Sequence, residues 1–222
     1  MEEYGRLEDL SKTIILIGVD GEIKGILSLS DKIKANSKRT IEELHKMGIE
    51  TYMLTGDNKK TASTVASAVG IDNVCAGVLP ENKLDIVKNL QKEDKTVLFV
   101  GDGINDAPAL TQANIGVAMG NGTDIAMESG DIVVMEGDLE NVVAAVQFSK
   151  KVMTRIKENL FWAFAYNVIL IPLAAGALYA GFGIMFMPEW SALAMALSSV
   201  TVISLSLALK GYVPAIKKET KS

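Results

Sequence analysis

Between Asn159 and Leu209 this chain carries a single formal charge, Glu189. No other feature narrows the possible folds as much. Residues 159–180 and 190–209 are two runs of about twenty residues without a charged side chain, and a helix of that length spans about 30 Å of hydrocarbon. Lys150, Lys151, Arg155 and Lys157 precede the first run, and Lys210, Lys217, Lys218 and Lys221 follow the second. The link at 181–189 contains no Lys or Arg. By the positive-inside bias both outer ends belong in the cytoplasm and the link faces out. The expectation is a two-helix transmembrane hairpin, 159–180 and 190–209, followed by a cytoplasmic tail at 210–222. Two buried core helices of a soluble protein are the competing arrangement, and the matched basic flanks argue against it.

The rest of the 222-residue chain is long enough for one further domain. A net charge of −5 gives no nucleic-acid footprint. The single cysteine, Cys75, excludes a disulfide framework and a cysteine-built metal site, and fits a reducing compartment. Residues 1–12 are polar and charged, unlike a secretory signal.

Ahead of the apolar tract the pattern is that of an α/β domain. Residues 13–19 and 23–29 are apolar and β-branched around Asp20-Gly21, which predicts a β-hairpin. From 30 to 137 helices and strands alternate. Helices are expected at 35–47, 59–69 and from Pro80 onward, with strands at 49–54, 96–100, 115–118 and 132–135. Such alternation implies a Rossmann-like parallel sheet with right-handed crossovers, whose active crevice lies beyond the carboxyl ends of the strands. Asp138 is a plausible N-cap for a helical stalk at 138–158 that leads into the first span.

Two Gly-Asp turns fall at those strand ends. Gly101-Asp102-Gly103-Ile104-Asn105-Asp106 follows a buried strand, and its carboxylates suit Mg²⁺, which takes a few acidic oxygens plus phosphate and water. Asn105 can steady a carboxylate or the loop. Thr55-Gly56-Asp57-Asn58 follows another strand, where a hydroxyl and backbone amides can hold phosphoryl oxygens. Lys83, early in the helix opened by Pro80, can offset phosphate charge. Singly, a Gly-Asp-Gly is more often a turn and a helical lysine a solvated charge; together they form a coherent phosphate site.

Polar groups within a span are costly and usually have a purpose. Tyr166 and Asn167 sit about eight residues into the first run, and Met195 and Ser199 share a face of the second. At 1.5 Å per residue Asn167 lies about 12 Å deep and Ser199 about 15 Å. A thioether is a soft donor that selects Cu(I), whereas Zn²⁺ or Ca²⁺ would call for imidazoles or carboxylates. Met195 taken alone is more simply membrane filler. His45 reads as a surface residue, Cys75 as a small buried hydrophobe, and Met185 and Met187 as loop filler.

The run TGDNKKTA at 55–62, PENK at 80–83 and VGDGINDAPAL at 100–110 resembles the hinge-side signatures of P-type ATPases, within the haloacid-dehalogenase-like superfamily. The resemblance implies that Thr55 and Gly56 contact an aspartyl phosphate, with Asp57 in the same loop. It implies that Lys83 is the charge-neutralising lysine and that Asp102 and Asp106 hold Mg²⁺, supported by Asn105. Asp31 and Lys34 resemble the family's Asp-x-x-Lys segment near a domain joint, which makes residues 1–29 a remnant of the nucleotide-binding domain. Tyr166-Asn167 and Met195-x-x-Ser198-Ser199 resemble the paired membrane signatures of copper(I)-transporting members, implying that Tyr166, Asn167, Met195 and Ser199 meet transported Cu⁺. The lysine and aspartate of the zinc and cadmium members are missing from both runs. Silver(I) would satisfy the same ligands.

The family's nucleophile motif, Asp-Lys-Thr-Gly-Thr, does not occur. Asp31-Lys32 imitates it, but Ile33-Lys34 replaces the Thr-Gly of the phosphate loop. The expected protein is therefore the rear part of an ATP-driven Cu(I) exporter, with a phosphorylation domain at 30–137 that lacks its nucleophile strand. Its implied partners are the remaining N-terminal portion, which binds most of the ATP, and the lipid bilayer of a bacterial or archaeal plasma membrane. Alone it is expected not to cycle ATP, since covalent catalysis needs the nucleophile. The alternatives are a pump for another heavy metal and a non-catalytic membrane module.

Overall fold

The computed structural model describes residues 13–219 apart from 20, 30–31, 102–103, 121–127, 135–136 and 186. The chain divides into two compact units, Met1–Val143 and Ala144–Ser222.

The first unit opens with an antiparallel hairpin, β1 (Thr13–Val19) and β2 (Glu22–Leu29), turning at Gly21 with φ +80°. Ile15, Leu16, Ile17 and Ile23 are exposed. Successive strand residues point to opposite faces, so both faces carry uncovered apolar side chains. A two-stranded hairpin in that condition is marginal in water by itself.

Helices and strands then alternate: α1 (Ser37–Lys46), β3 (Tyr52–Leu54), α2 (Lys59–Val69), β4 (Asn73–Cys75), α3 (Pro80–Lys92), β5 (Leu98–Gly101), α4 (Ala107–Gln112), β6 (Ile115–Met119) and β7 (Ile132–Val134). Local chemistry sets the boundaries. The Asn58 side chain caps α2 by accepting from the Thr61 amide at 2.9 Å, and Gly70 ends that helix in the left-handed region with φ +84°. Pro80 occupies the first turn of α3, where no helical N–H is needed. Ala62, Ala66 and Val69 form the buried stripe of α2, at the spacing of one helix face.

All strand pairs after the hairpin are parallel, as expected, but the single sheet is not formed. The described strands fall into two sheets, β3-β4 and β5-β6-β7. β4 was not anticipated: Asp72 and Asn73 break the apolar run ahead of Val74, so nothing marks a strand there. β6 is the buried middle strand, with Val117 and Ala118 at 1% and 0% exposure, whereas β3 is only half-buried. The core joins Val117, Met119, Val134 and Val142, flanked by Leu98, Val100, Ile115 and Leu139. Leu110 of α4 packs with Ala118 and Phe99.

α5 (Leu139–Ala174) is a 36-residue helix, so the stretch read as a separate stalk is its first part. Asp138 caps it as expected, accepting from the Glu140 amide at 3.0 Å. Three contacts join this start to residues 34–39. The Lys34 ammonium donates to the Gly137 carbonyl at 2.7 Å, the Asn36 amide to Asp138 at 2.6 Å, and Arg39 lies 3.7 Å from the buried Glu140 carboxylate.

In the second unit the first apolar run is not one helix, which corrects the span drawn at 159–180. α5 ends at Ala174, Gly176 turns left-handed with φ +94°, and a short α6 (Ala177–Phe182) follows. Pro172 lacks a helical N–H, and the Gly176 amide tightens back onto the Leu173 carbonyl at 3.1 Å, so the last turn closes there. α7 (Pro188–Leu207) continues into a 3₁₀ turn at Ala208–Gly211, and α8 (Ala215–Glu219) ends the described chain. Among the described residues one helix, Ala192–Gly211, is long and apolar enough to cross a membrane.

Candidate active site

The two motif loops start where the parallel strands stop: Thr55 follows Leu54 of β3, and residue 102 follows Gly101 of β5. Asp102 lies outside the described residues, as does Asp31. Asn105 and Asp106 form a 3₁₀ turn leading into α4.

Lys83 and Asp106 come together. The Lys83 ammonium donates to Asp106 Oδ1 at 2.7 Å, with the two side chains only 19% and 11% exposed. In a setting this dry, a charge-assisted bond fixes both groups firmly. Pro80 starts α3 so that Lys83 stands one turn in, while the 3₁₀ turn brings Asp106 back against the end of β5. Gly101 makes that approach possible. A Cβ at Gly101 would stand 2.7 Å from Asp106 Cβ and 2.8 Å from its Oδ2.

The other loop is braced by itself. The Thr55 hydroxyl donates to Asp57 Oδ2 at 2.9 Å and accepts from the Asp57 amide at 3.1 Å. The Thr55 amide donates to the Cys75 carbonyl at 3.0 Å, the Gly77 amide to the Asp57 carbonyl, and the Val78 amide to the Thr55 carbonyl. The amides of Thr55 and Asp57 are therefore engaged within the protein. Gly56 lies with its Cα side toward the Val78 carbonyl. Residues 75–78 are the part of the site that sequence reasoning missed, and only the unanticipated β4 could have flagged them.

The residues present fit Mg²⁺. Asp106 gives Oδ1 to Lys83, and the missing Cβ at Gly101 keeps space beside Oδ2. Hard carboxylate oxygens are the ligands Mg²⁺ prefers, in ones and twos, with water and phosphate completing the shell.

At the opposite, amino ends of the strands lies a polar tie. The Lys95 ammonium donates to the Tyr52 hydroxyl at 2.8 Å and stands 3.3 Å from Glu50 and from Glu93. The Tyr52 bond first, then Glu50, pushes the Lys95 pKa up, so the group stays charged. His45 is exposed as expected but not isolated: its Nε2 lies 3.0 Å from Asp72 and 3.1 Å from the Thr51 hydroxyl. Cys75 is half-buried, less enclosed than its sequence context suggested.

In the second unit Tyr166 packs its ring against Trp162 at 6.2 Å. The Asn167 amide donates to the Ala163 carbonyl at 2.8 Å, and the Ser199 hydroxyl to the Met195 carbonyl at 3.3 Å. Both polar groups thus serve their own helices, as polar side chains in apolar surroundings do. Met195 is 64% exposed.

With this geometry in view, comparisons with known proteins are specific. A family profile described as haloacid dehalogenase-like hydrolase matches residues 1–114, and a second of the same description matches 83–146. A probable copper-exporting P-type ATPase of Archaeoglobus fulgidus is 51% identical over 96% of the chain, and copper-transporting ATPase 1 of Rhizobium meliloti is 48% identical over 96%. The chain spans 26% of the length of each. Among solved structures, a zinc-transporting PIB-type ATPase in its E2.Pi state superposes with a TM-score of 0.80 at 31% identity, covering 94% of this chain and 33% of that one. A profile match over more than half its length, together with the Lys83–Asp106 pair at the end of a parallel strand, shows that this chain belongs to the haloacid dehalogenase-like hydrolases and is closely related to the copper- and zinc-transporting P-type ATPases of the heavy-metal branch.

Proposed function

We propose that the chain supplies the Mg²⁺ and phosphate half of an ATP-driven heavy-metal exporter, with Cu(I) as its cargo. The observation that carries this reading is the Lys83–Asp106 pair, 2.7 Å long and largely shielded from water at the carboxyl end of β5. In phosphoryl transfer the protein mainly positions groups and offsets charge. Lys83 would neutralise charge on the transferred phosphoryl group while holding Asp106 in place. Asp106, with Asp102, would hold Mg²⁺, which supplies charge neutralisation at the phosphoryl oxygens. Thr55 and Gly56 would face the phosphoryl group from the end of β3, the Thr55 hydroxyl turning from Asp57 to do so. Asn105 would steady the turn between the two aspartates.

The nucleophile would come from an upstream portion, on the same or a separate chain. Two features support a strand inserted between β3 and β5. Among the described residues β3 and β5 each pair on one side only, and β3 is half-buried where an interior parallel strand would be enclosed on both faces. Residues 13–29 fit the end of a nucleotide-binding domain whose remaining sheet would cover the exposed hairpin faces. By this reading residues 30–137 are the phosphorylation domain and 138–158 its outgoing helix.

For the membrane part, the uncharged end of α5 continued by α6 would form one crossing and α7 the other, with both basic flanks cytoplasmic. The 16 residues 159–174 of α5 span roughly 24 Å before the Gly176 break. Phe161, Phe164, Val168 and Ile169 of α5 are more than 60% exposed, as are Met195 and Leu207 of α7. Apolar surface on this scale needs lipid or partner helices. The copper reading is favoured over zinc because Met195 is a soft donor, the spans hold no His, Cys, Asp or Lys, and the copper relatives share 51% and 48% identity against 31% for the zinc pump. Tyr166, Asn167, Met195 and Ser199 are the proposed cargo ligands.

The test is acyl-phosphate formation from ATP by the chain joined to an upstream portion bearing Asp-Lys-Thr-Gly-Thr, with Cu(I), Ag(I) or Zn²⁺ added. Stimulation by Cu(I) and Ag(I), lost in Met195→Ala and in Lys83→Ala, is expected. Stimulation by Zn²⁺ alone would exclude copper, and no acyl phosphate with any metal would favour the non-catalytic module.

A further inference from the structure

By sequence, residues 210–222 are a plain tail. In the structure residues 212–216 of that tail are docked. After the turn at Ala208–Gly211 the Tyr212 ring lies 6.2 Å from Phe148 of α5, tilted by 33°. The Ile216 amide donates to Gln147 Oε1 of α5 at 3.2 Å. Ile216 is 0% exposed and ranks among the largest fully buried side chains of the described residues. A five-residue helix such as α8 has no stability of its own, and terminal segments fray unless held. Its seat beside Gln147 and Phe148 contributes to that hold.

α7 has a second tie to α5. The Asn159 side-chain amide donates to the Ser206 hydroxyl at 2.9 Å. Along α5, Asn159 and Phe148 are eleven residues apart, a separation of about 17 Å at 1.5 Å per residue. One contact between two helices is a pivot, about which they can roll and slide. Two contacts that far apart along a common helix remove both freedoms.

We propose that residues 212–216 are a strap that sets the register of α7 along α5. The strap is anchored by Ile216, guided by Tyr212, and independent of which metal the chain carries. Its effect is mechanical. An axial shift of α7 has to move Gln147 and Phe148 with it or pull Ile216 out of its pocket. Ile216→Asp would release the strap without touching α7 or the Lys83–Asp106 pair.

The full chain in lipid nanodiscs, with Cys75→Ser as background, allows the test. Asn159→Cys with Ser206→Cys forms a disulfide reporter at the second tie and removes the hydrogen bond there, leaving the strap to hold register. Adding Ile216→Asp should slow oxidation of that pair about tenfold. It should also speed tryptic cleavage at Lys217 and Lys218 by about ten- to a hundredfold, the range expected for losing one buried isoleucine. Ile216→Leu should stay near the wild type in both. Equal cleavage of wild type and Ile216→Asp would overturn the docked strap. A chain ended at Lys210 that cross-links as fast as the full chain would overturn the register role, and it serves as well should Ile216→Asp fail to fold.

Discussion

Replacing Gly101 by alanine tests how the candidate active site is assembled. Gly101 ends β5 opposite Ala118 of β6 and is not one of the glycines with positive φ. Its backbone therefore accepts an L-residue, and alanine by itself would stabilise by about 0.4–1 kcal/mol through the unfolded state. Sterics decide the other way. The new Cβ would stand 2.7 Å from Asp106 Cβ and 3.0 Å from Cγ, where carbons prefer about 3.5–4.0 Å. Relief requires Asp106 to retreat by about 0.8 Å or more. A retreat away from Lys83 would stretch their 2.7 Å bond toward 3.5 Å, beyond useful hydrogen-bond length. Overpacking costs about 1–3 kcal/mol, and weakening a pair this shielded adds to it. A net loss of about 2–3 kcal/mol is expected. Amide exchange of β5 and β6 reads the local stability, and Mg²⁺ titration reads the carboxylate. In an Asp106→Gly background the clashing Cβ is gone, so Gly101→Ala should become neutral or slightly stabilising. An alanine variant within about 0.5 kcal/mol of the wild type, or an equal penalty in both backgrounds, would refute the close-approach argument.

Three further outcomes follow from other parts of the fold. Arg39→Met should destabilise the first unit by about 3 kcal/mol, because it strips the charged neighbour from Glu140, which is 4% exposed; Arg39→Met with Glu140→Met should recover most of that in thermal unfolding. The Thr51 amide and then its hydroxyl hold the Asp72 carboxyl below its ordinary value, so the stability it contributes is present above the ordinary carboxylate range near pH 4 and lost as pH falls through the depressed folded pKa. Thr51→Val should raise the Asp72 pKa and move that loss to higher pH, as read by carboxyl chemical shifts. Gly176→Ala places a Cβ at φ +94°, costing about 1–2 kcal/mol, and should drive α5 to fuse with α6; exchange at residues 175–178 should slow, and unchanged exchange would count against the break being set by glycine.

Much of the first unit was legible in the chain because its signals are local. α2 was expected at 59–69 and occurs there, since an asparagine cap and a left-handed glycine bound it. The hairpin was announced by Asp20-Gly21 between apolar runs. Lys83 and Asp106 were named from motif spacing, although 23 residues separate them. What failed to show was short or non-local. β4 begins at Asn73, and Asp72 and Asn73 interrupt an apolar run of the kind that marks β3 and β7. The break at Gly176 was hidden by an unbroken apolar composition, which measures partition into lipid and is blind to a backbone angle.

Composition and spacing alone determined that this chain joins an α/β domain, with Gly-Asp turns at its strand ends, to an apolar tract, because charge distribution and turn chemistry are properties of the sequence whatever its fold. Tertiary structure alone decided that Lys83 meets Asp106, that the parallel strands divide into two sheets, and that the tail returns to Gln147 and Phe148. Each of these depends on groups far apart in the chain. Their meeting is set by how helices and strands pack against one another, which no local pattern encodes.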